Sequence, residues 1–294
     1  MSIILNSINS GLILSLIAIS FYVCSSKLKF ANIALGSCFC VSGFLSALLF
    51  NFTGSLFLAV IIPFLFNIIL AICNIIFIKL KIDKFLSNIL ILGLSNIIIN
   101  YISINPRLFE NSISVNYSLN EFSLFSILVI INIFAFFTFS LLIKKDNSFI
   151  NSLYILSLAN IFSGFAGLFN VIKSTVLNFD YVTPVIISIT AFLVSRLFLG
   201  KYQKISTKLL LLITSSIIVS QLYELLIVFK FDFITINALY IFLAVVKEVY
   251  LKLHYSRFSI YDDISLLDNI TSTSESKKSF TSIDFVNAIK SQYI

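Results

Sequence analysis

The chain has 294 residues, of which 59% are hydrophobic and only 11% are charged, and its formal net charge is +7. Because soluble domains carry about 25% charged residues, this composition excludes an ordinary soluble protein and indicates an integral membrane protein. The excess of Lys and Arg is expected at cytoplasmic helix ends, next to membrane lipid, so no nucleic-acid partner is predicted.

Nine segments are apolar over about the 20 residues that a helix needs to cross a bilayer. They cover residues 3–24, 30–50, 55–78, 85–104, 123–143, 149–172, 181–199, 209–229 and 233–251. The predicted fold class is therefore all-α: a polytopic transmembrane helix bundle with about nine spanning helices. Residues 1–254 form the bundle, and residues 255–294 form a Ser/Thr-rich cytoplasmic tail that we expect to be mostly disordered.

The positions of Lys and Arg predict the orientation of these spans, because basic residues concentrate on the cytoplasmic side. Of the 20 basic residues, 17 lie in the odd-numbered loops, at the adjoining helix ends or in the tail, and only Arg107, Lys173 and Lys230 lie in the even-numbered loops. The N-terminus is therefore predicted to be outside and the C-terminus in the cytoplasm. The predicted location is the cell inner membrane.

Residues 27–43, KLKFANIALGSCFCVSG, differ from the other long segments because small and weakly polar side chains dominate them. In a bilayer, such residues let helices approach closely and find polar partners inside the protein. The stretch is therefore expected to form an inner helix, with Asn32, Gly36 and Ser37 as candidate residues of a solute path. Cys38 and Cys40 have no nearby His or second thiol pair, so we expect packing and no metal site.

Three further segments carry features that bear on such a path. Pro63 is a candidate hinge in the third segment, and Asn96 in the fourth segment is a further candidate path residue. In the sixth segment, Asn160 and Gly164 are four residues apart, as are Ser163 and Gly167. That spacing is typical of a close helix contact, and Asn160 and Gly164 are also candidates for lining the path.

Glu224 lies about one helical turn inside the outer end of the eighth segment. Carboxylates at such a depth usually face the interior of a bundle, so Glu224 is a candidate path residue. Two alternatives remain open at this point: the side chain reaches toward the lipid headgroups, or it pairs with Lys230.

Motifs for chemistry on a substrate are missing from the sequence. It has no phosphate-binding GxxxxGK[ST] loop, no His/Cys metal cluster and no Ser/His/Asp pattern, and its one histidine, His254, follows the last segment. The sequence therefore predicts a protein that is not an enzyme and that binds no cofactor.

The order of several stretches resembles one family of transporters. Residues 11–43, GLILSLIAISFYVCSSKLKFANIALGSCFCVSG, are similar to the opening of the permease subunits of ABC importers of the branched-chain amino acid class. Residues 79–102, KLKIDKFLSNILILGLSNIIINYI, and residues 155–173, ILSLANIFSGFAGLFNVIK, resemble the branch described as tryptophan or tyrosine transport permeases. The similarity is diffuse but collinear over roughly residues 9–200.

This resemblance implies a membrane-spanning permease subunit that imports a small, amino-acid-like solute by alternating access. It also implies a separate ATP-binding subunit, an extracytoplasmic solute-binding protein and a homodimer of this chain. The residues expected to face the ATP-binding subunit are Lys144, Lys145, Lys201 and Lys204.

One departure from the family affects the expected coupling to ATP. Family members carry a longer cytoplasmic loop between the helices that correspond to the fifth and sixth segments, with a short helix that docks into the ATPase. This chain has only residues 144–148 there, too few for a two-turn docking helix and its return. The alternative is therefore a diverged membrane protein that has lost ATPase coupling and acts as a scaffold or passive channel.

Overall fold

The computed structural model describes residues 2–28, 32–105, 119–144, 149–174 and 205–229, with a few isolated residues in 189–195 and 238–249. Every regular element within those ranges is helical, which confirms the all-α fold class. The chain divides into two units, Met1–Ala244 and Val245–Ile294, and all contacts discussed below lie within the first. The predicted tail lies outside the described residues.

Seven α-helices form this part of the chain. They are α1 (Ser2–Val23), α2 (Leu35–Thr53), α3 (Leu56–Lys79), α4 (Lys84–Ile104), α5 (Glu121–Lys144), α6 (Phe149–Ser174) and α7 (Ile205–Val228). All but α4 contain a segment long and apolar enough to cross a bilayer, and the apolar part of α4, Leu86–Ile102, is shorter. The chain is therefore a membrane-embedded, multi-pass protein. The predicted spans at 181–199 and 233–251 lie mostly outside the described residues, so the number nine stays a prediction.

The inner segment begins later than the sequence predicts. Helix α1 continues into a π-helical turn, Cys24–Leu28, in which the hydroxyls of Ser25 and Ser26 donate to backbone carbonyls three residues earlier. Helix α2 then starts at Leu35 instead of residue 30, and Asn32 precedes it. Asparagine competes with the helical backbone through its own amide, which favours positions outside helices and leaves the Asn32 side chain available for tertiary contacts.

A two-residue turn folds α2 back onto α3. Gly54 adopts a left-handed conformation with φ of 64°, and its N–H bonds the carbonyl of Phe50 at 2.7 Å. Ser55 then caps α3, because its hydroxyl accepts the N–H of Leu58. The turn makes α2 and α3 an antiparallel pair.

Helix α2 is the centre of one half of the bundle. It packs against α3 and α6, and every residue from Leu35 to Phe44 is buried. Helix α1 packs against α5, α6 and α7. Large apolar side chains cover the outer faces of α3, α4 and α5, where Phe57, Ile97 and Phe134 are each more than half exposed. These faces are suited to lipid, whereas the buried α2 confirms the expected inner helix.

Tertiary contacts give the relative directions of four helices. Ser7 of α1 contacts Glu224 near the end of α7, and Asn9 contacts the backbone of Glu121 at the start of α5. Lys173 at the end of α6 contacts Ser10. The starts of α1 and α5 therefore lie at the same end of the bundle as the ends of α6 and α7. The predicted alternation of loops requires this grouping; which end faces the cytoplasm stays a prediction from lysine placement.

Candidate functional site in the bundle interior

Seven buried polar side chains lie on α2, just before it, or on α3 and α6, which pack against it. Each has at most 2% of its surface exposed: Asn32, Ser37, Ser42, Ser46, Asn67, Asn160 and Ser163. A buried polar group costs free energy in an apolar environment unless it has a hydrogen-bond partner, and in a bilayer core no water replaces that partner. The hydrogen bonds of these residues therefore show which of them only hold helices together.

The small-residue stripe of α6 is the surface that contacts α2. Ser163 donates a hydrogen bond to the carbonyl of Leu35 at 2.6 Å. A Cβ atom placed on Gly167 would collide with the backbone carbonyl of Phe39, and one placed on Gly164 would collide with the amide nitrogen of Asn67. The prediction of a close helix contact here is confirmed.

Asn32 and Asn160 meet where α2 begins against α6. The amide nitrogen of Asn32 lies 3.4 Å from the side-chain oxygen of Asn160 and 3.9 Å from the sulfur of Cys24. The remaining atoms of the two amides, Asn32 Oδ1 and Asn160 Nδ2, are buried and have no hydrogen-bond partner among the described residues. The pair therefore presents one free acceptor and one free donor inside the bundle.

A second polar contact joins α2 to α3 at Ser42, about two turns after the start of α2. The amide nitrogen of Asn67 donates to the hydroxyl of Ser42 at 2.8 Å. Asn67 Oδ1 and the nearby Ser46 Oγ are both buried without a partner. These two atoms belong to residues that line a small void next to Pro63, the predicted hinge, and Gly164. Sequence reasoning named Pro63 and Gly164 but missed Asn67 and Ser46.

Glu224 lies in a polar cluster at the end of the bundle. Its carboxylate accepts hydrogen bonds from the hydroxyls of Ser7, at 2.7 Å, and Ser10, at 3.4 Å. Lys173 donates to the hydroxyl of Ser10 and interacts electrostatically with both Glu224 and Glu121. The carboxylate thus faces α1 and α6. Lys230, its partner in one of the alternatives that the sequence left open, lies outside the described residues.

Two other buried polar groups have their hydrogen bonds satisfied and act as links between helices. Asn132 of α5 donates to the carbonyls of Leu12 and Leu128 and accepts from Ser15 of α1. The side-chain amide of Asn74 in α3 donates to the side-chain oxygen of Asn88 in α4, and the side-chain oxygen of Asn74 accepts from the hydroxyl of Ser87. Sequence reasoning missed both links, because an Asn-rich composition made single asparagines uninformative.

The remaining candidate path residues on α2 and α4 are not among those with an unpartnered buried atom. Gly36 and Ser37 are buried in the first turn of α2, where the hydroxyl of Ser37 bonds its own turn at Ala34. Asn96 is partly exposed on α4, which packs mainly against α2 and α3. The structure therefore brings Asn32 next to Asn160 and Gly164 next to Asn67, but does not extend these contacts to Glu224.

The predicted ATPase-facing lysines can be placed only in part. Lys144 is the last residue of α5, and α6 begins at Phe149, so residues 145–148 connect the two helices. Lys145, Lys201 and Lys204 lie outside the described residues. The helix bounds agree with the short fifth loop expected from the sequence and leave no room for a docking helix between α5 and α6.

The four cysteines are not joined by disulfides, and Cys24, Cys38 and Cys40 are buried. Among the residues that the structure describes, no group of three or more His, Cys, Asp or Glu side chains is placed to hold a metal ion. No family model, curated protein or solved structure matches this chain.

Proposed function

We propose that this chain is the membrane-spanning permease subunit of an ABC-type importer for a small, amino-acid-like solute. One observation carries the transport part of this proposal. Asn32 Oδ1 and Asn160 Nδ2 are buried at the contact between α2 and α6, and no atom in the part of the chain that the structure describes forms a hydrogen bond with them. Unpaired polar atoms in a membrane interior are costly, and a solute whose polar groups pair with them in one transport state would account for their presence.

The ABC class and its partners rest on the resemblance in sequence over residues 9–200. A separate ATP-binding subunit would supply the energy, an extracytoplasmic binding protein would deliver the solute, and two copies of this chain would form the pathway. Asn32, Gly36, Ser37, Asn96, Asn160, Gly164 and Glu224 are the proposed path residues. Lys144, Lys145, Lys201 and Lys204 would face the ATPase.

A passive channel or scaffold is the second candidate, and one structural feature favours it. Residues 145–148 are all that separates α5 from α6. A helix of two turns needs about seven residues, so the contact through which ATP hydrolysis would drive such a bundle has no room here. In this case the bundle either conducts a solute without ATP or anchors a partner protein to the membrane.

Uptake measurements on the complex as it exists in its own membrane test these proposals. The chain is tagged and purified from the native membrane, the copurifying proteins are identified, and the preparation is placed in proteoliposomes. Uptake of a radiolabelled amino-acid mixture is then measured with and without ATP, and for Asn160→Leu and Asn170→Leu. Asn170 lies on the same helix as Asn160 but is partly exposed, so it is the matched control.

Each outcome points to one candidate. ATP-dependent uptake that is lost in Asn160→Leu and kept in Asn170→Leu supports the importer. Uptake at the same rate without ATP supports the passive channel. If no ATP-binding subunit copurifies and uptake equals that of empty liposomes, both transport assignments are wrong and the scaffold remains.

A further inference from the structure

A small void lies where α2, α3 and α6 meet. The cavity volume is about 10 Å³, counted as the space open to the centre of a water molecule. This is close to the smallest space that holds one water molecule, which needs roughly 10–15 Å³ on the same measure. The wall includes Ser46 of α2, Pro63 and Asn67 of α3, and Gly164 and Phe165 of α6. The void therefore has room for one group of the size of a water molecule.

Two side chains of this wall each carry a polar atom that has no hydrogen-bond partner among the residues that the structure describes. Ser46 Oγ and Asn67 Oδ1 are both buried without a hydrogen bond, and their residues are 2% and 1% exposed. Apolar voids in proteins stay empty, whereas polar ones of sufficient size hold a molecule that supplies the missing bonds. The other residues that line the void are apolar, so these two side chains alone distinguish it from a packing defect.

The surrounding contacts hold these atoms in place. The amide nitrogen of Asn67 is anchored by Ser42 at 2.8 Å, so the amide oxygen is left for another partner. Gly164 makes this arrangement feasible, because a Cβ at that position would collide with the same amide nitrogen and lie 2.7 Å from Ser42 Oγ. The glycine therefore gives the Asn67 side chain the space in which it sits.

We infer that this void is a binding site for one small hydrogen-bond donor of the size of water or an ammonium group. Asn67 Oδ1 accepts from this donor. Ser46 Oγ accepts from an ammonium group, and it either accepts from or donates to a water molecule. The occupant bridges α2 and α3 beside Gly164 of α6. Two sources have this chemistry: a resident water molecule, and the amino group of a transported solute, which alone rests on the proposed function.

The direction in which Ser46→Ala shifts the midpoint of thermal unfolding tests the inference. If the void is occupied, Ser46→Ala removes a hydrogen bond to the occupant, and the midpoint of thermal unfolding falls by about 2–4 °C. If the void is empty, the same substitution removes a buried hydroxyl that has no partner, and the midpoint rises or stays unchanged. Ser20→Ala is the matched control, because Ser20 is equally buried but bonds the carbonyl of Leu16 in its own helix.

The two wall residues should also be coupled. Asn67→Leu removes the other acceptor, so the fall caused by Ser46→Ala should shrink in the Asn67→Leu background if both side chains hold one occupant. The unfolding midpoint is to be measured for the full chain in lipid nanodiscs without ATP or partners. A negative result here therefore does not depend on the result of the uptake test. A rise for Ser46→Ala, or no change beyond that of Ser20→Ala, overturns the inference.

Ammonium salts identify the occupant. Ammonium and methylammonium chloride are titrated against sodium and tetramethylammonium chloride at equal ionic strength, because tetramethylammonium is too large and has no N–H. A higher midpoint in wild type that is absent in Ser46→Ala assigns the site to an amino group. No effect of ammonium, together with the fall for Ser46→Ala, assigns it to water. An ammonium effect that persists in Ser46→Ala places the ion elsewhere and excludes the amine.

Discussion

Replacing Gly167 by alanine tests whether the small-residue stripe of α6 holds the inner helix. The new Cβ would collide with the carbonyl oxygen of Phe39 and lie 2.8 Å from its carbonyl carbon and 3.1 Å from its Cα. These atoms are backbone, so the substitution is accommodated only if α6 moves away from α2. Adding atoms to a packed interior, with the backbone shifts that this forces, typically costs about 1–3 kcal/mol.

Helix propensity acts in the opposite direction. Alanine is favoured over glycine inside a helix by about 1 kcal/mol. With the packing cost at its upper limit of about 3 kcal/mol, the net loss is about 2 kcal/mol, or a fall of roughly 4–8 °C in the unfolding midpoint. Gly93→Ala is the control, because Gly93 lies in α4 with open space around its Cβ position, and it should be neutral or stabilising.

A thiol-reactive fluorophore measures this midpoint in nanodiscs. Cys24, Cys38 and Cys40 are fully buried in the folded chain and react only when the bundle opens. Cys73 is partly exposed and gives a constant early signal, which Cys73→Ala removes. If Gly167→Ala unfolds at the same temperature as Gly93→Ala, α6 and α2 are not in close contact at Gly167, and the stripe does not hold the inner helix.

Three further substitutions test other contacts of the bundle. Gly11→Ala should destabilise the bundle by about 2 kcal/mol, because the new Cβ would lie 2.5 Å from the backbone of Ile217. Unchanged thermal unfolding would contradict the contact between α1 and α7. Asn132→Leu should cost about 2–3 kcal/mol in denaturant unfolding, since it leaves the Ser15 hydroxyl and the Leu12 carbonyl without this partner; a cost below that of Asn170→Leu would exclude a structural role. Glu224→Gln should lower the midpoint more in wild type than in a Lys173→Gln background, and equal effects in both would show that Glu224 and Lys173 act independently.

The sequence predicted the long helices well because their signal is local. An apolar run long enough to cross a bilayer can satisfy its backbone only as a helix, whatever its neighbours are. The predicted segment 55–78 and the observed α3, Leu56–Lys79, therefore agree within a residue at each end. The predicted start of α2 was wrong by five residues. Asn32 lies before the helix and contacts Asn160, which is far away in sequence.

The candidate site was only partly predictable for the same physical reason. Gly164 and Gly167 stood out because glycine is rare in this chain, and their spacing marks one helix face. Nothing in the sequence separated Asn67 from other asparagines. Its importance comes from Ser42, Ser46 and Gly164, which are brought to it by two neighbouring helices.

Composition, the length of the apolar runs and the small residues of 27–43 by themselves determined that this chain is an all-helical, multi-pass membrane protein with α2 among its inner helices. Helix formation and insertion depend on each segment separately. Only the tertiary structure decided which polar atoms find partners. Asn132 finds its partners on α1, whereas Asn32, Asn160, Ser46 and Asn67 each have a buried atom with no hydrogen-bond partner within the described ranges. That difference depends on how helices from distant parts of the chain meet, because a hydrogen bond is formed only where donor and acceptor come within about 3 Å.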